Sequence, residues 1–134
     1  IFEITESAAF GDTLAARKNA AAIRQMGAQI ALDDFGDGFT SLMDIQENAL
    51  DVLKLDKALI DNLETGAGGI ILRAMIKAGH ELGLKVFAEG VEKAEQAQLL
   101  QEAGCDVLQG FLFHYPIPDW EAERKLKKSM QSLK

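Results

Sequence analysis

Short apolar runs alternate along this chain with longer stretches whose apolar residues recur every third or fourth position, and turn-forming residues fall between them. The short runs read as strands and the longer ones as helices. Strands are predicted at 1–5, 28–33, 52–56, 84–88 and 106–111. A helix is predicted after Asp12 or Thr13 as its cap, with Leu14, Ala15, Ala22, Ile23 and Met26 on one side and Gly27 as its stop. Further helices are expected at 41–47, 57–63, 70–82, 93–103 and from Asp119 onward, with the glycine-rich 66–69 read as a loop. Strand and helix in regular alternation describe an α/β fold around a parallel sheet.

The polar exceptions are informative, because they gather at the C-terminal ends of the predicted strands. Glu3 and Glu6 follow this rule, as do Asp33 with Asp34, Lys54 with Asp56, then Glu89, and finally Gln109. Parallel β/α folds build their active sites on that rim. Asp33 and Asp34 are adjacent, so on a regular strand they would point to opposite faces; Gly36 and Gly38 give the backbone the freedom to bend. Two bare carboxylates side by side repel each other, which makes Mg²⁺ or Mn²⁺ the natural neutralising partner. Lys54 stands between Leu53 and Leu55, so its ammonium is expected to point into a cavity at the sheet end and to need a carboxylate there. The alternative is a Lys–Asp or Lys–Glu pair that only ties strands together.

The length of 134 residues suits one domain, and the formal charge of −7 argues against a nucleic-acid polymer as partner. Arg124, Lys125, Lys127 and Lys128 form a basic cluster, read as a solvated helix face. Cys105 is the one cysteine and is expected to be a buried or half-buried thiol in a reducing compartment. The chain opens on Ile1 in a strand-like run and reads as a fragment of something longer.

Five motifs then carry a family resemblance: Phe2-Glu-Ile-Thr-Glu-Ser7, Leu32-Asp-Asp-Phe-Gly-Asp-Gly-Phe-Thr-Ser-Leu42, Leu53-Lys-Leu-Asp56, Ala88-Glu-Gly-Val-Glu92 and Gln109-Gly-Phe111. In identity, order and spacing they resemble the C-terminal part of an EAL domain, the bacterial cyclic di-GMP phosphodiesterase. The resemblance implies a partial (β/α)₈ TIM-type barrel, roughly its last five βα units, and hydrolysis of cyclic di-GMP to linear pGpG with Mg²⁺ or Mn²⁺ at a two-metal site. It implies metal ligation by Glu3 and Asp33, with Asp34 alongside and Glu89 either binding metal or fixing Lys54. Lys54 would hold or polarise the attacking water, and Gln109 and Asp56 would contact substrate. Glu6, Phe35, Gly36, Asp37 and Gly38 would belong to a loop that links metal binding to dimerisation.

The Glu-Ala-Leu motif itself and a further metal-binding Asn are expected upstream of this sequence, so the chain alone is expected to be inactive and to self-associate or form a homodimer. Asp37 replaces the usual small residue of its loop, and Phe39 the frequent Tyr. The parent is expected to be cytoplasmic or membrane-anchored upstream, and to carry a GGDEF or sensory domain. The alternative is a degenerate module that binds cyclic di-GMP or a protein without catalysis.

Overall fold

Five strands pair side by side in the order in which they occur: β1 (Phe2–Thr5), β2 (Ile30–Phe35), β3 (Val52–Leu55), β4 (Lys85–Ala88) and β5 (Val107–Leu108). All four pairings are parallel. Parallel neighbours need crossovers. These contain α1 (Thr13–Gln25) before β2, α2 (Lys57–Asp61) and α3 (Gly66–Glu81) before β4, and α4 (Ala94–Glu102) before β5; α5 (Asp119–Ser132) ends the order. A parallel sheet whose strands keep their sequence order is a length of barrel wall, since a doubly wound sheet would reverse direction partway. The computed structural model describes residues 1–5, 13–35, 45 and 50–132. Glu6, Gly36, Asp37 and Gly38 lie outside the described residues, as does the helix expected at 41–47 apart from Ile45, which is buried.

The register assigns a side to every strand position. Ile4, Leu32, Leu53 and Val86 stand in one row across four strands. Leu53 and Val86 meet α3, where a Cβ added to Gly79 would stand 2.7 Å from Val86 Cγ2 and 3.5 Å from Leu53 Cδ2. Glycine therefore lets the helix come this close. Because strand side chains alternate, the positions between these belong to the opposite face, the inside of the barrel wall. β3 is buried along its whole length, Lys54 included.

Two aspartates fasten helix ends to the opposite, N-terminal edge of the sheet. Asp51 accepts the Ile30 N–H at 2.9 Å through Oδ2 and the Arg24 guanidinium at 3.0 Å through Oδ1. Asp106 Oδ2 accepts the Val86 N–H at 2.7 Å and lies 2.8 Å from His80 Nε2, in the last turn of α3. Burial alone would raise the Asp106 carboxyl, but the Val86 and His80 bonds outweigh it and hold it below the ordinary carboxylate range. A depressed carboxyl stabilises the fold above the unfolded value of about 3.9, and that contribution is lost as pH falls through the lower folded value. Asp106→Asn is therefore expected to lower the melting temperature at pH 6, with the gap to the unsubstituted protein closing as the pH is taken below about 4. Thermal melts at several pH values check this, and a pH-independent gap would contradict it.

Three boundaries differ from the sequence reading. α3 begins at Gly66, inside the segment read as a loop, because Thr65 caps it by accepting the Gly68 N–H. Gly68 is enforced there, since a Cβ would collide with the Asn62 carbonyl. β5 stops after Leu108, so Phe111 lies in a turn and not on a strand. β2 does not end at Asp33 but continues through the acidic pair to Phe35.

Candidate functional site

That continuation is possible because β2 carries one residue more than β3 at this point. Leu32 pairs with Leu53, whereas Phe35 pairs with Leu55, so Asp33 and Asp34 together oppose Lys54. This is a β-bulge, a device that re-aims side chains beside functional sites. Asp34 takes it up with φ +56°, a left-handed conformation that aspartate adopts more readily than most residues. Such a conformation costs on the order of 1–3 kcal/mol unless the surroundings hold it. In a regular strand residue 34 would fall on the helix-facing side. The extra residue leaves Asp34 exposed and delivers Phe35, 5% exposed, into the core.

On the inner face, alternation places Glu3 on β1, Asp33 on β2, Lys54 on β3, and Glu89 and Gln109 just beyond β4 and β5. Glu89 is fixed by its N–H, which donates to the Leu55 carbonyl at 3.2 Å, and Gln109 by its N–H to Ala88 at 2.9 Å. Four of these five side chains meet. Lys54 Nζ lies 2.8 Å from each of Glu3 Oε1, Asp33 Oδ1 and Glu89 Oε1. The lysine side chain is 5% exposed and Glu3 53%, so the group sits under an open mouth.

Burial favours the neutral amine, but the hydrogen bonds to Asp33, Glu3 and Glu89 outweigh it and hold Lys54 above the ordinary lysine range. Lys54 is thus a fixed cation and a donor at neutral pH. It cannot serve as a base there. A group whose folded value is raised stabilises the fold below its unfolded value of about 10.4 and loses that contribution only as pH rises through the folded one.

Among the described residues no three His, Cys, Asp or Glu side chains are grouped so that they could hold a metal ion. Glu3, Asp33 and Glu89, expected as metal ligands, converge on the Lys54 ammonium. Three carboxylates around one ammonium still leave an excess of two negative charges, offered by oxygen donors alone. Oxygen donors in net negative surplus are the chemistry a hard divalent cation takes, but among the described residues these carboxylates are gathered on the ammonium and not around a metal position. Asp56, expected at the substrate, accepts the Ala58 N–H at 2.7 Å and caps α2. Gln109 is exposed and does not join the ion cluster. Cys105 donates to the Val86 carbonyl at 3.2 Å, and burial pushes its thiol up to about 11, which removes it as a nucleophile near neutrality.

Sequence reasoning missed a surface network at the same rim. Lys57 pairs with Asp61 at 2.8 Å and Glu92 at 3.4 Å, and Lys93 with Glu64 at 3.0 Å. The network ties the segment after Glu89 to α2 and the turn beyond it. Its only sequence signal is the i, i+4 spacing of Lys57 and Asp61.

The sequence profile of the EAL domain matches residues 1–116. Signaling protein YkoW of Bacillus subtilis is 42% identical over 123 residues, 91% of this chain and 15% of the relative. Cyclic di-GMP phosphodiesterase RocR of Pseudomonas aeruginosa is 33% identical over 120 residues, 89% of this chain and 31% of the relative. The solved structure of the MucR phosphodiesterase in complex with cyclic di-GMP superposes with a TM-score of 0.81 at 36% identity, covering 90% of this chain and 49% of that one. The chain therefore spans less than a third of these curated relatives and about half of the matched MucR structure. Sequence profile, relatives and barrel wall agree that the chain belongs to the EAL domain family.

Proposed function

We propose that this chain is the C-terminal portion of a cyclic di-GMP phosphodiesterase domain, which opens the cyclic dinucleotide to linear pGpG in bacterial second-messenger signalling. The observation that carries the reading is the buried Lys54 ammonium, held by carboxylates from three strands on the rim where parallel barrels do their chemistry. The names of RocR and of the MucR complex support the substrate.

In this hydrolysis a water oxygen bonds to phosphorus while the bond from phosphorus to one ribose 3′ oxygen breaks, and the proton released by water ends on that oxygen. Negative charge grows on the phosphoryl oxygens in the transition state. Lys54, charged and held by Glu3, Asp33 and Glu89 through its three N–H groups, places a fixed positive charge toward the developing one, and donates to the attacking water once one of the carboxylates turns away to metal. Glu89 holds Lys54 in place, and as a carboxylate it is also able to take a proton. Glu3 and Asp33, with Asp34 alongside, would hold Mg²⁺ or Mn²⁺, which when bound supplies a hydroxide at neutral pH and neutralises phosphate charge. Gln109 bounds the site on the side of the last strand, while Asp56 caps α2 just beyond Lys54.

Removing the metal tests this reading. A domain containing this chain is expected to lose turnover of cyclic di-GMP in excess EDTA and to regain it with Mn²⁺ or Mg²⁺. Turnover that survives chelation would overturn the metal assignment.

The same reading extends to assembly. β1 pairs with β2 alone among the described strands, and Ile1 and Phe2 are more than half exposed, so apolar surface faces outward at this edge. The isolated chain is expected to self-associate at micromolar concentration and to be inactive by itself. Light scattering that shows a stable monomer would contradict the association. In the parent protein a GGDEF or sensory domain accompanies this one, a reading supported by the bifunctional diguanylate cyclase/phosphodiesterase MucR, 38% identical to this chain. No helix among the described residues is long and apolar enough to cross a membrane.

A further inference from the structure

Glu89 is the member of the Lys54 cluster that stands outside a strand, just beyond β4, and the residue after it is a glycine. Glycine takes positive φ about as readily as negative, so a carboxylate next to it is free to swing unless something holds the turn. Hydrogen bonds fix the two flanking residues. The Glu89 N–H donates to the Leu55 carbonyl at 3.2 Å, and the Val91 N–H to the Gln109 carbonyl at 3.0 Å. Gly90 between them has φ +70°. What closes its freedom is packing.

A Cβ added to Gly90 would stand 2.6 Å from Cγ, 2.8 Å from Cβ and 2.9 Å from Cδ of Lys57, so the three nearest atoms all belong to one methylene stem. The glycine backbone therefore lies directly against Lys57, the first residue of α2 and three places after Lys54. Both ends of that stem are held. Asp56 caps the helix by accepting the Ala58 N–H at 2.7 Å, which fixes the backbone on either side of Lys57. The Lys57 ammonium donates to Asp61 Oδ1 and Oδ2 at 2.8 and 3.0 Å and lies 3.4 Å from Glu92 Oε1. Glu92 is steadied in turn, its N–H donating at 2.9 Å to Oε1 of the buried Gln96.

We propose that Lys57 is a positioning residue of the Lys54 site, whose stem bears Gly90 and thereby aims the Glu89 carboxylate at the Lys54 ammonium. The proposal rests on the phosphodiesterase reading for its effect on turnover, though not for the contact itself. Among the described residues Lys57 makes no ion pair with Glu3, Asp33 or Glu89, so it acts on the cluster through Gly90 or not at all. Lys54 and Lys57 leave the same strand end, so the stem sets Glu89 against the very strand that carries its partner. An exposed ion pair alone would contribute little. A catalytic group displaced by about 1 Å can cost on the order of 100-fold in rate, so even a small shift of Glu89 is measurable.

Lys57→Ala tests this, since alanine suits an exposed helical position and the far-ultraviolet circular dichroism should be unchanged. In the parent domain it is expected to lower kcat for cyclic di-GMP about tenfold or more, with KM within about twofold. Lys57→Met, which keeps the stem without the charge, should recover the rate to within about threefold. In a Glu89→Gln background, Lys57→Ala should cost less than about twofold, because residues that act through one group are not additive. Equal losses in both backgrounds, or a loss in Lys57→Met as large as in Lys57→Ala, overturn the proposal. A readout without turnover separates it from the phosphodiesterase reading. The ¹⁵N resonance of the Lys54 ammonium in the labelled full chain at one fixed pH, assigned by its loss in Lys54→Met, is expected to move in Lys57→Ala and to return in Lys57→Met. A resonance that moves, beside a parent domain that does not hydrolyse, upholds the positioning and overturns the phosphodiesterase reading. A resonance unmoved by Lys57→Ala overturns the positioning, while Lys54-dependent hydrolysis would still uphold that reading.

Discussion

Replacement of Lys54 by alanine in the parent domain is expected to lower kcat for cyclic di-GMP by about 100- to 1,000-fold, the usual loss when a preorganised group that stabilises developing charge is removed. KM is expected to change little, because the interaction strengthens only as charge develops. The structure gives the reason. The ammonium is buried and drawn by three carboxylates at 2.8 Å, so its position and charge are set before substrate arrives. Since Lys54 is held above the ordinary lysine range, no loss of rate due to this group is expected on the alkaline side below about pH 10. Steady-state kinetics of Lys54→Ala and the isosteric Lys54→Met decide the matter. An unchanged kcat with a raised KM would make Lys54 a positioning or structural residue.

Asp33→Asn carries the second large effect. The substitution keeps the side-chain shape and a hydrogen-bond acceptor for Lys54, while Glu3 and Glu89 still neutralise the ammonium, so the barrel wall should remain folded. What it removes is one of the two surplus negative charges that suit the cluster to a divalent cation. Binding of Mn²⁺, followed by electron paramagnetic resonance, and turnover of cyclic di-GMP are both expected to fall below detection, with the far-ultraviolet circular dichroism unchanged. Glu3→Gln is expected to behave alike, and at less cost to the fold because Glu3 is half exposed. Retained turnover in either variant would remove these residues from the site.

Much of this site is legible from alternation alone. Lys54 between Leu53 and Leu55 can only point away from the helix-facing row, and counting in twos puts Glu3, Asp33, Glu89 and Gln109 on the same face once the strands are aligned. Alignment is where the sequence falls short. The bulge at Asp33 and Asp34 exists only relative to β3, so nothing in the run Leu32-Asp-Asp-Phe35 by itself says that the pair opposes one residue. Without the bulge the strand must end before Asp34; with it, the strand carries Phe35 into the core.

The start of α3 was hidden for a different reason. Each glycine costs a helix about 1 kcal/mol relative to alanine, so a segment with three of them reads as a loop. Here the Thr65 cap, worth about 1 kcal/mol, and the tight approach to the Asn62 carbonyl select glycine on steric grounds. The acidic cluster shows a third limit. Carboxylates that converge need positive charge, and at the level of sequence an ammonium and a metal ion satisfy that need equally well. Only the three distances to Lys54 Nζ show which of the two stands at the centre.

The most direct test of the account is a time course of cyclic di-GMP followed by phosphorus NMR in the presence of the parent domain and Mn²⁺. Hydrolysis of one linkage predicts that the single phosphodiester resonance of the symmetric ring gives way to one diester and one monoester signal of equal intensity, those of pGpG. A ring resonance that persists unchanged while the nucleotide is bound would contradict it and leave the chain a binding module.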